Sequence, residues 1–102
     1  MAKLRILLCC AAGMSTSLLV TKMEQAAKQQ GIDAEIWAVP ESQVEDQLPV
    51  DVVLLGPQVR FALKSVKSKV GDIPVAVIDM RDYGTMNGPK VLKTALDIIN
   101  GK

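Results

Sequence analysis

A three-layer α/β fold with a four-stranded parallel sheet is the prediction that the sequence supports, and three observations lead to it. Apolar runs of strand length alternate along the chain with segments in which apolar residues recur at helical spacing. The apolar runs are nearly continuous, which is typical of strands buried on both faces. The chain has 102 residues, 49% of them hydrophobic, so we expect one domain over residues 1–102 with a single core.

Four strands are predicted from these runs. Three of them, at residues 4–9, 51–55 and 74–78, are almost entirely apolar. The fourth, at residues 34–39, alternates between apolar and polar side chains, as an edge strand does. Because strands and helices alternate, parallel pairing with right-handed crossovers is favoured, with helices on both faces of the sheet. The expected strand order is 2-1-3-4.

Three helices are predicted from residues that recur at a spacing of three and four. Glycine follows the first two helices, where it is a common stop signal. Residues 40–49 are polar, and one or two helical turns are predicted over residues 42–47. The apolar positions are Leu19, Met23, Ala26 and Ala27 before Gly31; Val59, Ala62, Leu63, Val66 and Val70 before Gly71; and Val91, Ala95, Ile98 and Ile99.

Composition excludes several classes of function. A net charge of +1, with both signs spread along the chain, predicts no nucleic-acid or membrane surface. The apolar run at residues 6–12 is too short to span a bilayer and lacks a signal-peptide cleavage site, so we expect a cytoplasmic protein with two free thiols. The absence of histidine excludes a Cys/His dyad, a phosphohistidine and the common metal sites. No cofactor or metal is predicted.

A ligand crevice is predicted at the carboxyl ends of the strands. In a sheet of this order, ligands bind where the winding reverses, here between the first and third strands. The loops at residues 10–16 and 56–58 therefore flank the predicted crevice, and the loop at residues 79–84 lies beside it.

The loop after the first strand predicts an anion site with a nucleophile. Its backbone N–H groups precede a helix, whose N-terminus favours negative charge, and its hydroxyl side chains add donors. A thiolate facing these groups is favoured, so Cys10 is the candidate nucleophile, whereas Cys9 is expected to point into a packed face. The predicted phosphate-binding residues are Ala11, Ala12, Gly13, Met14, Ser15, Thr16 and Ser17.

Three functions are compatible with a cysteine in a phosphate site. A cysteine phosphatase would transfer the phosphoryl group to water; low-molecular-weight phosphatases of this kind of fold place an arginine six residues after the cysteine, where this chain has Thr16. A phosphoryl carrier would instead pass the group to another acceptor, without an arginine to stabilise the transferring group. An anion-binding regulatory module would bind phosphate without using the thiol.

The motifs together resemble the enzyme IIB component of the bacterial sugar phosphotransferase system, in its lactose/cellobiose/chitobiose branch, with a flavodoxin-like or tyrosine-phosphatase-like fold. They are Cys-x-x-Gly-Met-Ser-Thr-Ser-Leu-Leu-Val from Cys10, Asp-Val-Val-Leu-Leu-Gly-Pro-Gln from Asp51, and Ile-Asp before Tyr-Gly at the fourth strand. Cys9 is an extra thiol beside the first motif. Ala11 stands where relatives carry a hydroxyl residue.

The resemblance implies a phosphocysteine relay. Cys10 would accept a phosphoryl group from a phosphohistidine of the IIA partner and deliver it to a β-linked disaccharide held by the IIC permease. The protein would be a monomer that reaches the membrane only through IIC. An apolar rim that includes Met14 and Pro57 is the expected docking surface.

The same resemblance assigns rim positions around the crevice. Gly56, Pro57 and Gln58 would form the lip facing Cys10, where Gln58 either binds phosphate or partner or starts a helix. Asp79 is expected to act as a structural cap rather than as a general acid. Tyr83 either rims the site or covers the helix that follows.

Overall fold

The computed structural model of the chain describes residues 3–10 and 14–101, with the side chains of residues 14–16 left out of the description. Strands and helices alternate as predicted. The strands are β1 (Leu4–Cys10), β2 (Ala34–Pro40), β3 (Val52–Leu55) and β4 (Val75–Val77). The α-helices are α1 (Met14–Gln29), α2 (Leu63–Val70), α3 (Met80–Gly84) and α4 (Gly88–Ile99), and two 3₁₀ helices span Glu41–Gln47 and Pro57–Ala62.

The sheet is parallel throughout and has the order β2-β1-β3-β4, which confirms the predicted fold. Strand β1 lies inside the sheet and is paired on both sides. It pairs with β2 along its whole length, from Leu4 opposite Ala34 to Cys10 opposite Pro40. Its pairing with β3 ends one residue earlier, at Cys9.

Each face of the sheet is covered by a separate hydrophobic cluster. Helices α1 and α4 pack against one face, and α2 with the 3₁₀ helix Glu41–Gln47 packs against the other. The first cluster includes Ile6, Leu8, Leu19, Met23, Ile36, Leu54, Leu92 and Ala95, and the second includes Leu7, Cys9, Val44, Val53, Leu55, Val59 and Val66. Burial of such side chains is the main favourable contribution to folding.

Helix ends show where the predictions hold and where they are wrong. Gly31 and Gly71 both have φ of +70° at helix ends, which confirms the predicted stops. The predicted helix from Val59 to Val70 is not continuous. It starts as a 3₁₀ helix with Pro57 in its first turn, and Val59 has non-helical angles (φ −116°, ψ 24°), so that α2 begins only at Leu63.

One further boundary differs from the predictions. The segment 79–84 is not a loop, because α3 occupies Met80–Gly84. The last helix begins at Gly88, where the Asn87 side chain accepts a hydrogen bond from the Lys90 N–H. In the described part of the chain, no helix has the length and apolar character needed to cross a membrane.

Candidate active site

Cys10 is the last residue of β1, at the predicted crevice. It lies opposite Pro40 of β2, one residue beyond the end of the β1–β3 pairing, and only 3% of its surface is exposed. Cys10 therefore lies at the carboxyl end of β1, one of the two strands between which the winding of the sheet reverses. Strand β1 is paired on both sides as far as Cys9, and Cys10 itself is paired with β2.

The lip predicted at residues 56–58 is anchored to the same place. The Gly56 N–H donates to the Cys9 carbonyl at 2.8 Å, and the Val59 N–H donates to the Gly56 carbonyl at 3.0 Å. Val59 is buried in the second cluster. The backbone of the lip is thus held by hydrogen bonds next to the Cys10 backbone.

Side chains pack closely around Gly56. A Cβ built on this glycine would lie 3.6 Å from Cys10 Cβ and 2.8 Å from Gln58 Oε1. Gly56 is buried, whereas Gln58 is exposed. The structure therefore brings together Cys10, Gly56 and Gln58, three of the residues that the sequence assigned to the site.

Cys9 has a different environment. It is fully buried in the second cluster, as the alternation of the strand predicts. Burial is the main cause that raises the pKa of the Cys9 thiol from 9.0 to about 12, and electrostatic repulsion from the neighbouring Cys10 and Glu41 side chains raises it further. Since the thiolate is the nucleophilic form, Cys9 is a protonated core residue at neutral pH.

The predicted phosphate-binding residues fall mostly outside the description. Ala11, Ala12 and Gly13 lie outside the described residues, and for Met14, Ser15 and Thr16 only the place in the first turn of α1 is described. Ser17 is exposed in α1, and its carbonyl accepts a hydrogen bond from Thr21 Oγ1 at 3.2 Å. Helix α1 thus begins four residues after Cys10 along the chain.

Asp79 caps α3. Its Oδ1 accepts hydrogen bonds from the N–H groups of Arg81 at 2.9 Å and Asp82 at 3.2 Å. Tyr83, on the same helix, is 7% exposed and packs in the first cluster. Asp79 therefore organises the segment after β4, and Tyr83 holds it against the core.

A cavity of about 450 Å³ adjoins the lip, and it includes residues that the sequence prediction missed. Phe61 and Met80 are exposed to 78% and 66%, although both are large and apolar. Phe61 falls outside the periodic core positions of its segment, which is the signal that could have singled it out. The cavity is lined by Pro57, Gln58, Arg60, Phe61, Met80, Tyr83 and Gly84.

The predicted apolar rim is described only on one side, because Pro57 lines this cavity and the Met14 side chain is outside the description. Among residues 3–10 and 14–101, no three side chains of Cys, Asp or Glu are grouped as a metal site.

Comparison with known proteins connects this geometry to a family. Residues 5–94 match the model of the family described as PTS system, Lactose/Cellobiose specific IIB subunit. The chain belongs to this family. It is therefore an EIIB component, a phosphotransferase of the sugar phosphotransferase system that relays phosphoryl groups and works there with IIA and IIC components.

Curated relatives agree with this membership. A galactose-specific EIIB component of Lactococcus lactis subsp. cremoris and a cellobiose-specific EIIB component of Lactococcus lactis subsp. lactis are each 46% identical over 108 residues, which cover 98% of this chain and 100% of the relative. An oligo-beta-mannoside-specific EIIB component of Bacillus subtilis is 50% identical over 99 residues, covering 93% of this chain and 95% of the relative.

Solved structures of IIB components share the fold. The cellobiose-specific IIB component of Borrelia burgdorferi has a TM-score of 0.82 and 44% identity, over 99% of this chain and 95% of that one. A lactose-specific IIB domain of Streptococcus pneumoniae has a TM-score of 0.79 at 20% identity, over 94% and 97% of the two chains, and supports the fold alone.

Proposed function

We propose that Cys10 is the phosphoryl-carrying residue of this IIB subunit, receiving the group from a phosphohistidine of a IIA protein and delivering it to a sugar held by a IIC permease. The observation that carries the proposal is the placement of Cys10 at the carboxyl end of β1, beside the anchored lip and four residues before α1. Cys9, the other thiol, is buried and protonated.

In the transfer to Cys10 and in the transfer from it, all bonds and protons are accounted for by the Cys10 thiol, without any other group of this chain. In the first, Cys10 Sγ attacks phosphorus, an S–P bond forms, the N–P bond to the donor imidazole breaks, and the thiol proton ends on the imidazole nitrogen. In the second, a sugar hydroxyl oxygen attacks, an O–P bond forms, the S–P bond breaks, and the hydroxyl proton restores the thiol. The carrier is therefore unchanged after each cycle.

Residues 11–17 are the proposed phosphate site, and residues 56–58 the proposed facing lip. Backbone N–H groups at the start of a helix stabilise phosphate without a charged side chain. The sequence has Thr16 rather than arginine at the sixth position after Cys10. A carrier needs this arrangement, because an arginine that stabilises charge on the transferring group would favour its loss to water.

The proposed substrate class is a β-linked disaccharide or related sugar. The relatives are named for galactose, cellobiose and oligo-beta-mannoside. We assign sugar selection to the permease, since the relay meets the sugar only at the moment of transfer. We further propose that residues 1–102 act as one cytoplasmic, monomeric domain, with net charge +1 giving no electrostatic attraction to the membrane.

The test is phosphoryl labelling by a phosphorylated IIA protein of a cellobiose system. The wild-type chain and Cys9→Ser are expected to take up one phosphoryl group each, and Cys10→Ser none. Unfolding transitions of the three proteins control for folding. Label that survives in Cys10→Ser would overturn the proposal, as would steady hydrolysis of an aryl phosphate by the wild-type chain alone, which would identify a phosphatase.

A further inference from the structure

Gly56 provides space rather than backbone freedom. Its angles, φ −62° and ψ 150°, lie in a region open to every L-residue. A Cβ at this position would lie 2.8 Å from Gln58 Oε1 and 3.6 Å from Cys10 Cβ. The first distance would be a steric clash. The missing side chain therefore leaves room for the Gln58 carboxamide next to Cys10.

The backbone that carries the Gln58 side chain is held in place, but the hydrogen-bond donors of its carboxamide have no partner among the described residues. Pro57 restricts the backbone before Gln58, and buried Val59 follows it with an N–H that is bonded to the Gly56 carbonyl. Across the described ranges, the Gln58 carboxamide has no hydrogen-bond partner. Because Oε1 is the carboxamide atom nearest to the position of the missing Gly56 Cβ, the two N–H donors of Nε2 remain for a ligand.

We propose that Gln58 is a second phosphoryl-binding element, whose Nε2 donates a hydrogen bond to the phosphoryl group on Cys10 from the β3 side of the crevice, and that Gly56 positions it. The inference rests on the proposed function of Cys10. Gln58 follows β3 along the chain, so this donor would come from a different strand end than Cys10, which ends β1.

A carboxamide is chemically suited to this role. A hydrogen bond to a charged group is stronger than one between neutral groups, so a neutral donor holds the phosphoryl dianion. It does so without the positive charge and bidentate geometry of a guanidinium. Gln58 would thus retain the group for a partner, in keeping with Thr16 in place of arginine.

The direct readout is the second ionisation of the phosphoryl group, followed by ³¹P NMR as a function of pH on protein phosphorylated by a phospho-IIA protein of a cellobiose system. A donor stabilises the dianion, so losing it raises the phosphoryl pKa. We expect Gln58→Met to raise it by about half a pH unit. Gln58→Glu should raise it further, since the added carboxylate repels the dianion.

Two controls separate this role from a general effect on structure. Gln43→Met changes another exposed glutamine on a 3₁₀ helix and should leave the titration as in the wild-type protein. Gly56→Ala should reproduce the shift of Gln58→Met by displacing the carboxamide. Adding Gly56→Ala to Gln58→Met should then give no further shift, which is the non-additivity expected of two residues that act as a unit.

Each outcome decides the matter. If Cys10 carries the phosphoryl group but Gln58→Met and Gln58→Glu titrate like the wild-type protein, the role of Gln58 is wrong and the relay function stands, even if these variants unfold at lower temperature. If the wild-type Cys10 takes up no phosphoryl group, both fail. Because Gln58 is exposed, its variants decide the question even where Gly56→Ala does not fold.

Discussion

Cys9 and Cys10 are consecutive residues of β1, yet they lie on opposite faces of the sheet. Cys9 shares the second cluster with Leu7, whereas Cys10 follows the alternation of Ile6 and Leu8, which belong to the first cluster. Their thiols therefore face different surroundings, and the two residues are expected to differ in chemistry as well as in packing.

The first prediction concerns alkylation of the thiols. With a pKa of about 12, Cys9 has about one part in ten thousand as thiolate at pH 8, and it is fully buried. Native Cys10→Ser protein is therefore expected to remain unmodified by iodoacetamide at pH 8, and to be alkylated once unfolded in urea. Mass spectrometry measures both states. Rapid alkylation of native Cys10→Ser would contradict the assigned environment.

The second prediction concerns stability in alkaline solution. The Cys9 pKa is near 9.0 when the chain is unfolded and about 12 when it is folded, so above pH 9 the unfolded state releases its proton first. The contribution of Cys9 to the free energy of unfolding is full below pH 9 and declines as pH rises to about 12, with a limiting slope of about 1.4 kcal/mol per pH unit.

A matched variant isolates this slope from other groups that titrate in the same range. Cys9→Val keeps a small apolar side chain in the cluster but cannot ionise. We expect the unfolding free energy of the wild-type protein minus that of Cys9→Val, measured by urea denaturation from pH 8 to pH 11, to decrease above pH 9. A difference that stays constant across that range would refute the prediction.

The third prediction compares two glycines. A Cβ on Gly88 would lie 2.5 Å from the backbone carbonyl carbon of Lys22, whereas one on Gly84 would meet nothing within 4 Å. Gly88→Ala must push α4 away from α1, and overpacking of this kind costs about 1–3 kcal/mol. Gly84→Ala should leave stability unchanged or slightly higher. Thermal unfolding checks the pair, and equal midpoints would show that α1 and α4 are not in this close contact.

The fourth prediction concerns the cap of α3. Asp79→Ala removes the acceptor for two backbone N–H groups and is expected to lower the free energy of unfolding by about 1 kcal/mol. Asp79→Asn should retain most of that stability, because its side-chain oxygen can still accept. Asp72→Ala, at an exposed site, serves as the control, and an equal effect of Asp72→Ala and Asp79→Ala would argue against the cap.

The sheet could be predicted because its signals are local. Continuous apolar runs mark β1, β3 and β4. Alternation marks β2 and separates Cys9 from Cys10. Helix α3 escaped prediction because five residues carry no periodicity, and its start depends on one capping side chain, Asp79. The interruption at Val59 was missed for a related reason, since apolar spacing alone does not distinguish a 3₁₀ turn from an α-helix.

The candidate site was predictable only in part. The sequence placed Cys10 and the lip at one end of the sheet, because the carboxyl ends of parallel strands meet there. The cavity beside Gln58 was not foreseen, since it forms where Phe61 from the segment after β3 meets Met80 from the segment after β4. Such a meeting depends on three-dimensional packing rather than on any spacing along the chain.

The double pairing of β1 also bears on hydrogen exchange. Amides in a central strand exchange only in the rarest openings, close to global unfolding, whereas those of exposed segments exchange through local fluctuations. The doubly paired part of β1, which ends at Cys9 directly before Cys10, is thus expected among the slowest-exchanging parts of the domain. The phosphoryl donor would then meet Cys10 as a nucleophile, and the acceptor would meet it as a phosphocysteine, at the same fixed end of the strand. The partner proteins, rather than this domain, would have to adjust their geometry between the two transfers.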